Sequence, residues 1–283
     1  MKILKKIGQI LLCPLPLLLT VLIQFASVFI STIVFVIITQ GLNPYDAVME
    51  QYGLLLLITQ FVTLAIFALW YFLAYGHKKP FVFPTRVLSG KDLGLLLVLG
   101  VALYSLILVY MGIAAVAMPG EMEKYEALVE ETGLADLTFL STVSTLILAP
   151  LSEELIFRGI TMNLSQKAFS RFWIANLVQA LFFGIAHMNW IQGSYAFLLG
   201  LALGYVCQTY HSLYAGMLLH LFFNFFGTYL SALLGLLPVP DMVQYGILFL
   251  VGAPLTSFCL SRLHRKKNPP RKPAYWTGEP LDF

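Results

Sequence analysis

The stretch LAPLSEELIFRG, residues 148 to 159, sets two adjacent carboxylates, Glu153 and Glu154, and a guanidinium, Arg158, inside an otherwise apolar run of about 138–164. An ionisable group at the centre of a membrane-spanning helix costs roughly 3 kcal/mol, so such groups face a bundle interior or a wet cavity and mark functional sites. Glu154 and Arg158 are four apart with the acid N-terminal, the favourable direction for a helical ion pair. Glu153 is turned about 100° from Glu154 and stands five residues from the arginine. The spacing therefore predicts one paired carboxylate and one left for chemistry.

Three more polar side chains in apolar segments can join it: His187 in LFFGIAHMNW, and His220 and Asn224 in LLHLFFNFFG. Measured along their helices from the same membrane side, Glu153 lies about 18 Å deep, His187 about 22 Å, His220 about 10 Å and Asn224 about 16 Å. They form one layer. His220 and Asn224 are four apart and share a helix face, as do Phe183 and His187. A glutamate in such a layer is a usable general base for water, and a histidine can hold that water or shuttle its proton. Asn224 and His220 can donate to the oxyanion that forms when an amide is attacked. No serine or cysteine is comparably placed beside a histidine, so direct attack by water is favoured over a covalent intermediate.

The elements that must position these groups are membrane helices. The 283 residues are 59% hydrophobic and 11% charged, with a mean hydropathy of +0.83. Apolar runs long enough to cross about 30 Å of hydrocarbon recur along the chain. Lipid leaves open backbone groups unsatisfied, so the fold class is all-α, a polytopic bundle around an intramembrane polar cavity. About eight spans are expected, near 10–39, 53–75, 93–118, 138–164, 172–188, 191–207, 213–234 and 243–260. The first should be kinked or started late by Pro14 and Pro16. A short polar loop is expected at 43–51, an interfacial helix in the acidic segment 119–136, and close helix contacts at Gly193, Gly200 and Gly204. Trp70, Tyr71, Trp173 and Trp190 read as interfacial anchors. Cys13, Cys207 and Cys259 lack metal-ligand spacing and read as packing residues. Residues 1–261 make a single multi-pass domain with its catalytic core at about 138–235, and 262–283 form a basic, Pro-rich, unfolded tail.

Orientation follows from the basic residues. With both termini in the cytoplasm, every Lys and Arg except Lys124 and the intramembrane Arg158 falls inside, while the outer loops carry Asp46, Glu50, the acidic segment and Asp241. This satisfies the positive-inside rule. The expected location is a bacterial plasma membrane, and the expected partners are the bilayer and a peptide or membrane-protein segment as substrate, with no nucleic acid.

At these residues the chain resembles a known family. EELIFR (Glu153, Glu154, Arg158), FGIAH (Phe183, His187) and HLFFN (His220, Asn224) are similar to the motifs EExxxR, FxxxH and HxxxN of the CPBP intramembrane proteases. That family includes the type II CAAX prenyl endopeptidases and the bacterial Abi proteins linked to bacteriocin self-immunity. The resemblance implies an eight-helix membrane core and metal-independent glutamate catalysis. Glu153 would be the general base, His187 would activate water, and His220 with Asn224 would form the oxyanion site. Glu154 and Arg158, with Phe183 as packing or a cavity wall, would support them.

Other readings use the same residues. Glu154 and Arg158 could be a structural pair that locks helices together. His187, taken alone, would simply donate to a backbone carbonyl near a helix end. His220 and Asn224 could cross-link helices. A zinc hydrolase could draw on Glu153, His187 and His220, although HExxH is missing. A proton-coupled transporter would relay protons through the same layer, against which stands the lack of an internal repeat. A catalytically idle immunity or scaffold protein would use the fold only to bind.

Overall fold

The computed structural model describes residues 2–39, 43–75, 88–131 and 138–265, and all elements in them are helical. Helix α1 (Lys2–Leu12) is amphipathic and carries Lys2, Lys5 and Lys6. A turn at Cys13 and Pro14 separates it from α2 (Leu15–Thr39), because proline cannot donate into the preceding turn. The first apolar run is thus two helices, and α1 packs along the last turns of the helix that carries the glutamates.

Residues 43–51, expected as a polar loop, instead hold α3 (Pro44–Glu50). Asn43 accepts the Asp46 N–H at 3.0 Å and Pro44 occupies the first turn, a strong start signal that the polar composition obscured. Then come α4 (Tyr52–Tyr75), α5 (Gly90–Ala117) and α6 (Pro119–Glu131). Helix α5 starts on a capping box between Ser89 and Asp92, and α6 is the short helix expected in the acidic segment.

The C-terminal half holds α7 (Phe139–Phe169), α8 (Phe172–Ala186), α9 (Trp190–Tyr210), α10 (Leu213–Gly235) and α11 (Asp241–His264). Among the described residues seven helical stretches are long and apolar enough to cross a membrane; α8 is the remaining apolar helix, 15 residues long. At about 22 Å it falls short of the hydrocarbon thickness. The chain is a polytopic membrane bundle. The linker at 76–87, with His77, and the tail beyond 265 lie outside the described residues.

Burial grades the helices by position. In the most apolar stretch of α9, 44% of residues are buried, against 11% in α11, so α9 is central and α11 peripheral. Helices α8 and α9 pack closely. A Cβ on Gly184 would lie 2.6 Å from the Gly193 carbonyl oxygen, so only glycine permits the approach there, and one on Gly200 would lie a tight 3.1 Å from Ala180. Trp173 and Trp190 are exposed, as interfacial anchors should be. Tyr71 is not an anchor: it is 1% exposed, with its ring in a slot that Gly159 opens on α7. The three cysteines are free and buried.

Candidate active site

Helix α7 is not a uniform α-helix. It begins on a capping box from Thr138, then widens to i→i−5 hydrogen bonding over Ser144–Leu148. It returns to α geometry over Ala149–Glu153 and widens again over Glu154–Thr161. Wide turns inside α-helices are rare and concentrate at functional sites. Glu153 stands at the last residue of the α segment and Glu154 at the first of the second wide segment, so the two carboxylates straddle a change of helical register.

Glu154 is tied down on every side. Its Oε1 accepts from Arg158 Nη1 at 2.9 Å, and neither side chain has any exposed surface. Arg158 Nη2 donates to the Gly200 carbonyl at 3.3 Å, which pins α7 to α9. The guanidinium lies 4.5 Å from the centroid of the Phe183 ring. Glu154 Oε2 faces Cys207 Sγ at 3.9 Å and passes over Gly216, where a Cβ would stand 2.7 Å from that oxygen. A buried charge pair is tolerable when its remaining donors and acceptors are met, which these contacts largely do.

His220, on α10, bridges the two carboxylates. Its Nδ1 is 3.0 Å from Glu154 Oε1, an oxygen that only accepts, so Nδ1 carries the proton and donates. Its Nε2 faces Glu153 Oε2 at 3.6 Å, an ion-pair distance beyond hydrogen-bond length. One ring thus reads both acids, a contact the helical-wheel separation of Glu153 from Glu154 did not suggest.

His187 follows the last residue of α8, and its Nδ1 donates to the Phe183 carbonyl at 2.8 Å. This is the backbone bond expected of a histidine near a helix end. It also assigns the tautomer: in the neutral ring, Nε2 is left as an acceptor. Phe183 sits between the polar groups, with centroids 4.9 Å from the His187 ring and 5.8 Å from that of His220. Asn224 sits one turn beyond His220, but its Nδ2 donates to the Thr145 carbonyl at 2.9 Å, eight residues before Glu153 on α7.

Glu153 differs from its neighbour in keeping 22% of its side chain exposed. That exposure opens into a cavity of about 180 Å³ lined also by His187 and Phe183. The facing walls come from α2, α4 and α9 and are uncharged but polar: Gln24, Thr59, Gln60, Thr63 and Gln192 among them. Ser152 Oγ is 2.9 Å from Gln60 Oε1. Thr59 Oγ1 is buried with no partner among the described residues. A cavity of this size and polarity has room and hydrogen-bonding partners for several water molecules. His220 and Asn224 do not line it; His220 approaches Glu153 from the other side.

Sequence reasoning passed over the cavity wall because it followed charge. The available signal was uncharged: Thr20 with Gln24, and Gln60 with Thr63, place polar groups one turn apart in otherwise apolar helices. Glutamines and threonines in lipid-spanning segments face protein or water for the same reason that charges do. Of the remaining histidines, His211 ends α9 in a left-handed conformation and His264 ends α11. For zinc the arrangement is a poor fit. Among the described residues no three His, Cys, Asp or Glu side chains are grouped to hold a metal ion, and Glu154 is already committed to Arg158.

Residues 135–226 match the family model described as type II CAAX prenyl endopeptidase Rce1-like. The matched segment takes in both glutamates, Arg158, Phe183, both site histidines and Asn224. No curated protein and no solved structure matches the chain.

Proposed function

We propose that this chain, through its Rce1-like segment, is an intramembrane endopeptidase in which Glu153 activates water against a peptide bond. The observation that carries the reading is the contrast between two adjacent acids: only Glu153 opens onto the polar cavity that His187 also lines. Glu153 takes a proton from the water as its oxygen bonds to the scissile carbonyl carbon. His187, holding its own proton on the Phe183 carbonyl, offers Nε2 to orient that water. The C–N bond then breaks as the proton held by Glu153 passes to the leaving nitrogen.

The family likeness assigns the oxyanion to His220 and Asn224; in this chain the Asn224 carboxamide is held on the Thr145 carbonyl, which leaves the role to His220. His220 is the nearer to Glu153, and with Nδ1 already donating to Glu154 it serves that role only as an imidazolium, with Nε2–H directed at the oxygen. We read the reaction as metal-free, with a peptide or membrane-protein segment as substrate. We place the chain in a bacterial plasma membrane with both termini in the cytoplasm, the arrangement that the basic residues favour.

The test compares membranes from cells carrying the intact chain with those carrying Glu153→Gln, using mass spectrometry of the peptides each accumulates. Fragments should disappear in the variant while the folded protein remains in the membrane. An unchanged set of fragments would sink the reading.

A further inference from the structure

The bond from Asn224 to Thr145 has a cause in the backbone of α7. Between Ser144 and Leu148 the hydrogen bonds run five residues back, as in the bond from the Ala149 N–H to the Ser144 carbonyl. The next bond in that register would run from residue 150 to the Thr145 carbonyl. Residue 150 is proline, which has no N–H to give. The carbonyl orphaned by Pro150 is the one that Asn224 Nδ2 meets, at 2.9 Å. A backbone oxygen left unpaired inside a membrane bundle is costly, so the carboxamide completes a wide turn that α7 cannot complete by itself.

The wide turn matters to the site because Glu153 follows Pro150 by three residues. A turn with one extra residue rotates everything after it by about 100° relative to a regular helix. Collapse of that turn to α geometry would swing Glu153 off the cavity wall. Asn224 itself does not line the cavity. We infer that Asn224 is a positioning residue, whose side chain stands in for the missing backbone donor of Pro150 and thereby holds the turn that aims Glu153. The inference rests on the proposed role of Glu153 for its consequence, but not for the bond itself.

The experiment is a double-substitution cycle in the full chain, reconstituted in lipid, with Asn224→Leu (similar in shape, without a donor), Pro150→Ala, and both together. Asn224→Leu should raise hydrogen exchange across residues 144–153 and shift the unfolding equilibrium about three- to thirtyfold toward the unfolded chain. Pro150→Ala restores a backbone N–H, so in that background Asn224→Leu should shift the equilibrium less than about twofold. Cleavage of a quenched farnesylated CAAX peptide should lose kcat with KM kept in Asn224→Leu, and recover in the double variant.

The inference is overturned if Asn224→Leu leaves the exchange of 144–153 unchanged, or if its penalty is as large in the Pro150→Ala background as in the chain that keeps Pro150. Recovered stability without recovered kcat overturns the positioning role and returns Asn224 to direct contact with substrate. Should the chain leave that peptide uncut, exchange and unfolding still decide the bond, and the endopeptidase reading stays with the peptide comparison in cells. Should the Pro150→Ala chain not fold, the exchange of Asn224→Leu alone decides it.

Discussion

Glu154 and Glu153 are neighbours in the chain, yet one has no exposed side-chain surface and the other opens onto a polar cavity. On the dry side of α7, Arg158, His220 and Cys207 surround the carboxylate, and Phe183 covers the guanidinium. On the other side, glutamines and threonines of α2, α4 and α9 face the carboxylate across a space large enough for water. The same functional group is therefore a structural tie in one setting and, in the mechanism proposed above, the reagent in the other. What separates them is whether every lone pair already has a protein partner.

The largest expected effect tests that division directly. Glu153→Gln should lower peptide hydrolysis by about 10²- to 10⁴-fold, the range for a lost general base, while the thermal unfolding midpoint in detergent stays within a few degrees. Glu154→Gln should do the reverse, depleting folded protein before any assay of activity. If both substitutions spare the fold and both stop hydrolysis, the division between tie and reagent is broken.

Next in size is the ion pair. Arg158→Met leaves a carboxylate buried without its main partner and should cost about 3 to 5 kcal/mol in equilibrium unfolding. Glu154→Gln with Arg158→Met together should cost less than the sum of the two alone, since no unpaired charge remains. Additive costs would mean that the pair contributes nothing as a pair.

Gly216→Ala acts on the same wall from outside. Its Cβ would press on Glu154 Oε2 and Cys207 Sγ, and the expected loss is about 1 to 3 kcal/mol of stability, with activity per folded molecule unchanged. The mildest change is Cys207→Ala, which removes a weak thiol donor 3.9 Å from Glu154 and should cost about 1 kcal/mol or less by the same unfolding measurement. A larger cost at Cys207 than at Gly216 would show that the thiol, and not the close approach, seats the carboxylate.

Much of the architecture was legible because lipid imposes simple rules. Apolar runs located most of the spans, although the one expected at 172–188 is the short α8, and glycine spacing pointed to the faces where α8 and α9 meet. The i,i+4 offset of Glu154 and Arg158 anticipated their pairing, even though the segment between them is wide-turned. Tyr71 was misplaced because an aromatic near a span end reads as an anchor, and only the partner helix shows that Gly159 makes room for it. The helix at Pro44 was missed because a polar composition outweighed a good cap in the reading of residues 43–51.

The candidate site divides along the same line. Residue types and depths brought Glu153, His187, His220 and Asn224 to one layer, and in the structure His220 does meet Glu153 and Glu154. Wheel arithmetic assumes 3.6 residues per turn throughout, so it had no access to the two wide segments of α7 or to the carbonyl that Pro150 leaves open. By itself, the chain's composition and periodicity determined that charges would be sunk among apolar helices and which pair would join, since both follow from local spacing and the cost of charge in lipid. Only the packed bundle decided which acid stays wet, because that depends on side chains from α2, α4 and α9 that are distant in sequence and meet α7 only in three dimensions.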